Sequence, residues 1–373
     1  MRSRLLVPFF LLASTALAGL QSTAAPVPAP PAPHDGAHDF DPLLGNFNYH
    51  LHYMLHPLTS SPDWTDMNGT GTCYKVWDGR AQLDTIEVDS SGGGHIEGLT
   101  LRLYDPEARQ WRLYWANSRI GRIDPPQIGD FRDGRGDFCT TDTINGKTTL
   151  IRYDWSRMTS GTPHFEQAFS PDGGKTWEVN WITEQTRAGD AAWSQPQPGR
   201  PSTQPSGTEP QPPTRNGQHD FDFDFGTWKM HLRRLVHPLT GSSEWTEMEG
   251  TTVTNKIWGG RANLATVEAD GPSGHLELLA LRLYDPRADQ WNISSATSDS
   301  AVLSVPAVGG FTDGRAEFYD SELFHGRNIL VRFSIWPVSP GEVRSEQAFS
   351  ADGGATWETN WINTYTRVSE RGK

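Results

Sequence analysis

Polar residues recur in matched pairs along this 373-residue chain, each inside a run that otherwise alternates like a strand: Arg102 with Arg282, Arg152 with Arg332, Glu166 with Glu346, Gln167 with Gln347 and Asn180 with Asn360. A polar group in a β wall faces solvent or needs a partner inside, because burying it unpaired costs a few kcal/mol. Two chemistries fit. In one, Glu166 or Glu346 is a general base at a cavity mouth and Arg102 or Arg282 holds an anion. In the other, cross-strand Arg–Glu pairs and amide ladders fix register. Retention in both copies is what a folding requirement would also produce.

A second set is aromatic. Tyr114-Trp115-Ala116-Asn117-Ser118-Arg119 is matched later by Ser294-Ser295-Ala296-Thr297-Ser298-Asp299, so two aromatics and a cation become small or acidic. If this strand lines a cavity, the first copy is the functional one. Its expected ligand-binding residues are Tyr114, Trp115 and Arg119, joined by Trp181 and Asn180.

Other constellations are weaker. His50 and His52 share one side of a strand, with His56 beyond, but no third metal ligand is evident, and an inward Phe47 would leave both outside. The acidic openings Asp39, Asp41 and Asp220, Asp222, Asp224 lack the spacing of a calcium loop and read as strand-start and turn residues. Nucleophile-elbow, zincin, phosphate-loop and paired Cys-x-x-Cys patterns do not occur. No metal or cofactor is expected.

These residues sit in a long duplication. His38-Asp39-Phe40-Asp41 through Arg187 returns as His219-Asp220-Phe221-Asp222 through Arg367, a single doubling and not a solenoid period. Runs such as Leu99–Tyr104, Trp111–Trp115 and Leu150–Trp155 fit period two, with turn signals at Asp105-Pro106 and Asp285-Pro286 and no convincing amphipathic helix. The 15 Trp and 37 Gly suit a β-rich chain. Each repeat reads as an antiparallel barrel or sandwich of roughly eight to ten strands.

Residues 1–18, with a basic start, an apolar run and Ala16-Leu17-Ala18, read as a cleaved secretory signal without a lipid-anchor cysteine, so a secreted or periplasmic location is expected. Residues 19–37 form a Pro/Ala-rich spacer, 38–187 the first barrel, 188–218 a Pro/Gln/Ser/Thr-rich linker expected to be disordered, 219–367 the second barrel and 368–373 a tail. So long a linker suggests barrels that tumble independently. The net charge of −13 argues against nucleic-acid or anionic-membrane partners, and no later run is long and apolar enough for a membrane helix. Cys73 and Cys139 form a disulfide only if two strands bring them close. Oligomeric state is open.

Ser170-x-Asp172-x-Gly174-x-Thr176-Trp177, repeated from Ser350 to Trp357, resembles the Asp-box of sialidases and other propeller proteins. Without a propeller period around it, it reads as a structural turn. Gly226-Thr227-Trp228, with Gly45-Asn46-Phe47 in the first repeat, resembles the first strand of lipocalin and calycin barrels. That resemblance implies an aromatic plug covered by a late-strand Arg, here Trp228 with Arg367 and Phe47 with Arg187. Phe-Asp-Phe-x-x-Gly-x-Trp, Leu-Arg-Leu-Tyr-Asp-Pro and Glu-Gln-Ala-Phe-Ser-x-Asp-Gly-Gly-x-Thr-Trp together resemble uncharacterised bacterial calycin-like β-barrel domains, which implies a fold and no activity.

The expectation is therefore an all-β chain of two tandem antiparallel lipocalin-like barrels whose partner is a small, partly apolar molecule. An isomerase, hydratase or lyase using the same cavity is a second reading, and a carbohydrate-binding module, suggested by the Trp count and the Asp-box, a third.

Overall fold

The computed structural model describes residues 35–60, 63–189 and 216–369. The signal segment, most of the spacer, most of the linker and the end of the tail lie outside the described residues.

Two closed antiparallel barrels of ten strands each make up the described chain. The first comprises β1 (Gly45–Met54), β2 (Trp64–Val76), β3 (Ala81–Ser90), β4 (His95–Asp105), β5 (Gln110–Asn117), β6 (Gln127–Arg132), β7 (Arg135–Ile144), β8 (Lys147–Ser156), β9 (His164–Ser170) and β10 (Glu178–Arg187). The second comprises β11 (Gly226–Leu235), β12 (Trp245–Ile257), β13 (Ala262–Gly271), β14 (Gly274–Asp285), β15 (Gln290–Thr297), β16 (Ala307–Thr312), β17 (Arg315–Phe324), β18 (Arg327–Ser339), β19 (Glu342–Ser350) and β20 (Glu358–Ser369). Each first strand pairs with both the second and the last strand of its barrel, so no edge is left open. The helices among the described residues are 3-10 turns.

The barrel floors match the lipocalin-like expectation. Arg367 lies over Trp228 at 4.0 Å and Arg187 over Phe47 at 4.7 Å, each a contact worth about 1 kcal/mol. Each Arg also donates to two carbonyls of the segment before the first strand, Arg187 to Leu44 and Pro42, Arg367 to Phe225 and Phe223. That segment drops Phe40 or Phe221, both fully buried, across the floor.

The Asp-box is a turn staple. Asp172 accepts from the backbone of Lys175 and Thr176 and from the Thr176 hydroxyl, while Gly174 donates to Ser170 Oγ. Gly173 and Gly174 take the positive φ that the turn demands. Arg152 and Arg332 stack on the box tryptophans, each at 4.7 Å.

The expectation of independently tumbling barrels does not hold. Along β4 the outward residues Leu99, Leu101 and Leu103 are fully buried, and so are Leu279, Leu281 and Leu283 along β14. They join one apolar cluster with Trp77, Tyr114 and Trp258, shared between the barrels. Two reciprocal ion pairs flank it, Arg80 with Glu277 at 2.6 Å and Arg261 with Glu97 at 2.8 Å. Arg80 corresponds to Arg261 and Glu97 to Glu277, so the interface is a pseudo-twofold one. Burial of so much apolar surface in a common core ties the barrels together whatever the linker length.

Cys73 is buried and Cys139 exposed, and both are free. They occupy β2 and β7, which are not neighbours in the barrel.

Candidate functional site

Period two decides which side chains reach the interior of the first barrel. From β1 come Tyr49 and Tyr53, from β5 Leu113 and Trp115, from β8 Ile151, Tyr153 and Trp155, and from β10 Trp181, Thr183 and Gln185. They enclose a cavity of about 510 Å³, within the ordinary range for small-molecule sites. Its mouth is formed by the loops at the end of the barrel away from Phe40, where Arg119, Asp124 and Pro125 reach the rim.

Aromatic rings meet across the interior, from the opposite strands β5 and β10. Trp115 meets Trp181 edge to face at 5.8 Å, and Trp181 meets Tyr53 in the same way at 5.2 Å. On the strands beside Trp181, Phe165 meets Tyr153 edge to face at 5.0 Å and lies tilted against Trp155 at 4.8 Å. Two glycines make room for this lining. A Cβ on Gly98 would come within 2.2 Å of the Trp115 ring, and one on Gly71 within 2.4 Å of the Tyr49 ring. In the second barrel Gly98 and Trp115 become Leu278 and Ser295, and Gly71 and Tyr49 become Thr252 and Met230. Each large ring is thus seated on a glycine in the first barrel, and each glycine is replaced where the ring is lost.

The floor of the cavity is polar. Arg102 Nη2 donates to Asp84 Oδ2 at 2.7 Å and the Tyr49 hydroxyl donates to Asp84 Oδ1 at 3.2 Å. In the second barrel Ala265 stands in the place of Asp84, and Arg282 is paired with Asp224 from the plug segment below. The same guanidinium is therefore neutralised from the cavity side in one barrel and from beneath in the other.

Asp124 enters from the loop after β5. Burial pushes its carboxyl up to about 6, with the charge of Asp142 adding to the effect. The loop that carries it has two faces. Arg119 and Asp124 border the cavity, while Gly121 is packed under the carbonyl of Tyr284, its own carbonyl accepts from Asn292 at 3.1 Å, and Arg122 pairs with Asp285 at 2.8 Å. The second barrel thereby holds the rim of the first.

Among the sequence-derived site residues, Trp115, Arg119 and Trp181 line the cavity. Tyr114 does not: as the neighbour of Trp115 it points to the other face, enters the inter-barrel core and accepts from the Leu303 backbone at 3.2 Å. Asn180 sits at the β9–β10 bulge, where it accepts from Gln167 at 2.7 Å, and Asn360 with Gln347 repeats this at 3.0 Å. These amides fix the bulge register. Glu166 faces outward with its carboxylate 2.9 Å from His164 Nε2, and Glu346 faces outward beside Arg315. Arg102 and Arg282 are inward but held by Asp84 and Asp224 at the floors. The base-and-anion-holder arrangement is not assembled. His50 and His52 lie on the outer face with Asn68 and Asp66.

Sequence reasoning missed Asp84, Asp124, Gln127 and Gln185. The signal available was their asymmetry with Ala265, Ser304, Ala307 and Tyr365 in the second copy.

No protein-family model matches the chain, and no curated protein matches it in sequence. Solved structures with a similar arrangement include an S-type phycobiliprotein lyase from Guillardia theta, at 11% identity over 42% of this chain and 94% of that one, with a TM-score of 0.31. A DUF3598-family protein from Nostoc punctiforme is 11% identical over 89% of this chain and 99% of that one, with a TM-score of 0.23. The protein EF1p2_mFAP2b bound to DFHBI is 11% identical over 41% of this chain and 99% of that one, with a TM-score of 0.24. Each is a likeness among barrels.

Proposed function

We propose that this is an exported tandem-barrel protein that binds a small, partly apolar molecule in the cavity of its first barrel. The observation that carries the reading is the glycine-seated aromatic lining around about 510 Å³, present in the first barrel and exchanged position by position in the second. A lining of this kind binds by contact area, and needs no catalytic group. Export rests on residues 1–18, and N-terminal sequencing of the protein from its producing cell is expected to begin at Gly19.

Native mass spectrometry of the exported full chain tests binding. The expected result is a retained small-molecule mass that Trp115→Ala loses. If the wild-type protein flies empty, and lysate extracts add no mass that Trp115→Ala removes, the cavity is not a binding site.

A further inference from the structure

The polarity of the cavity narrows what it accepts, given the binding reading above. Gln127 and Gln185 line it, are 2% and 1% exposed, and their amide oxygens have no hydrogen-bond partner among the described residues. The carboxyl groups in the lining are Asp84, Asp124 and Asp142, against one guanidinium, Arg119, and the imidazole of His95, which lies 2.9 Å from Asp89. Arg102 adds no free positive charge, because Asp84 already engages it.

The second barrel is the internal control. There Gln127 is replaced by Ala307 and Gln185 by Tyr365, and the groups around Tyr365 satisfy one another, although Asn263 Nδ2, Arg282 Nε and Asp320 Oδ1 are buried without a partner among the described residues. Ser345 Oγ lies 3.2 Å from the Tyr365 hydroxyl and accepts from Asn363 at 2.8 Å, and Asn363 accepts from Trp361 at 2.9 Å. A barrel of this fold therefore does not require open amides or Asp84 for its own stability. Buried polar atoms left unmatched are destabilising unless something supplies the missing bond.

We propose that the first barrel selects an aromatic ligand bearing N–H or O–H donors, neutral or cationic, and disfavours carboxylates. The rings supply the aromatic contact, the Gln oxygens and Asp84 accept at depth, and Asp124 with Asp142 favours positive charge nearer the rim. A carboxylate would meet Asp124 and Asp142 with Arg119 as the one unengaged cation in the lining, Asp84 being neutralised by Arg102, and a bare hydrocarbon would leave the amides unmatched.

A matched series tests this on the full chain by calorimetry near neutral pH: naphthalene, 1-naphthol, 1-naphthylmethylamine and 1-naphthoate, with Trp115→Ala locating the site. Naphthol and the amine are expected to bind about tenfold or more tighter than naphthoate and naphthalene, a factor one satisfied hydrogen bond supplies. Replacing both amides, Gln127→Leu with Gln185→Leu, removes unmatched polar atoms without leaving a hole, and is expected to bring naphthol within about twofold of naphthalene. Naphthoate binding as tightly as the amine, or naphthol selectivity that survives the double substitution, overturns the ligand class and leaves the cavity as a binding site. If no member of the series binds, the ligand class and the cavity-binding reading fall together.

Discussion

Gly98→Ala tests whether the glycine exists to seat the indole. The new Cβ would lie 2.2 Å from Cη2, 2.7 Å from Cζ2 and 2.9 Å from Cζ3 of Trp115, against a contact optimum of about 3.5 Å or more. All three atoms belong to a side chain, so the ring moves and the sheet stays. Overpacking on this scale costs about 1–3 kcal/mol. In a Trp115→Ser background, which copies Ser295 of the second barrel, the same methyl no longer meets an indole. The strand then keeps the advantage of Ala over Gly, roughly 0.5–1 kcal/mol. The four corners of this cycle are measured by urea unfolding of the full chain, from midpoints with unchanged slopes. The expected coupling is about 1–3 kcal/mol in favour of the double variant. A coupling under about 0.5 kcal/mol, the value for sites that do not touch, refutes the exchange of ring for glycine as the basis of the cavity.

Arg261→Ala leaves Glu97 buried without its guanidinium and is expected to cost about 3–5 kcal/mol in urea unfolding, whereas Arg80→Ala, at a half-exposed site, should cost far less. Acid stability depends on the Asp-boxes. Hydrogen bonds from the Thr176 and Thr356 backbone and hydroxyl groups and from Ser170 and Ser350 hold Asp172 and Asp352 down at about 2, so their contribution is present above the unfolded carboxylate pKa and is lost as pH falls from about 4 to about 2. Asp172→Asn with Asp352→Asn should flatten that limb of a stability-versus-pH curve. Asp124 and Asp320 act with the opposite sign. Burial raises them to about 6 and about 7, aided by Asp142 and Glu322, so stability falls as pH rises from about 4 to those values, and the Asn variants should abolish the fall. The first barrel expressed alone exposes Leu99, Leu101 and Leu103 and should sediment as a homodimer, and a stable monomer would contradict the pseudo-twofold interface.

The barrel class was legible because the turns and the period-two runs agree along both copies, and the plug contacts because Trp228, Phe47 and their arginines sit at matching ends of the repeat. Trp115 was legible through its asymmetry with Ser295, whereas Trp181 recurs as Trp361. What misled was alternation without a reference for which face is inside. In β4 the leucines at 99, 101 and 103 look like the lining of a barrel, yet they face outward onto the other barrel, and Thr100 and Arg102 face inward. The same inversion moved Tyr114 out of the cavity. Asn180 and Glu166 were retained in both copies for register and surface pairing, which repetition alone cannot separate from chemistry. Gln127 and Gln185 differ from Ala307 and Tyr365, but that asymmetry does not reveal an unmatched amide until its surroundings are known.

The reciprocal pairs Arg80–Glu277 and Arg261–Glu97 are what a one-repeat chain would make with its own copy. In such a homodimer every substitution strikes both subunits together, so an interior could not be filled on one side and kept open on the other. Covalent joining removes that constraint. One half is free to carry Leu278, Tyr365 and Asn363 and to serve as a buttress for the rim loop of its neighbour, while the other keeps its rings, its glycines and its unmatched amides.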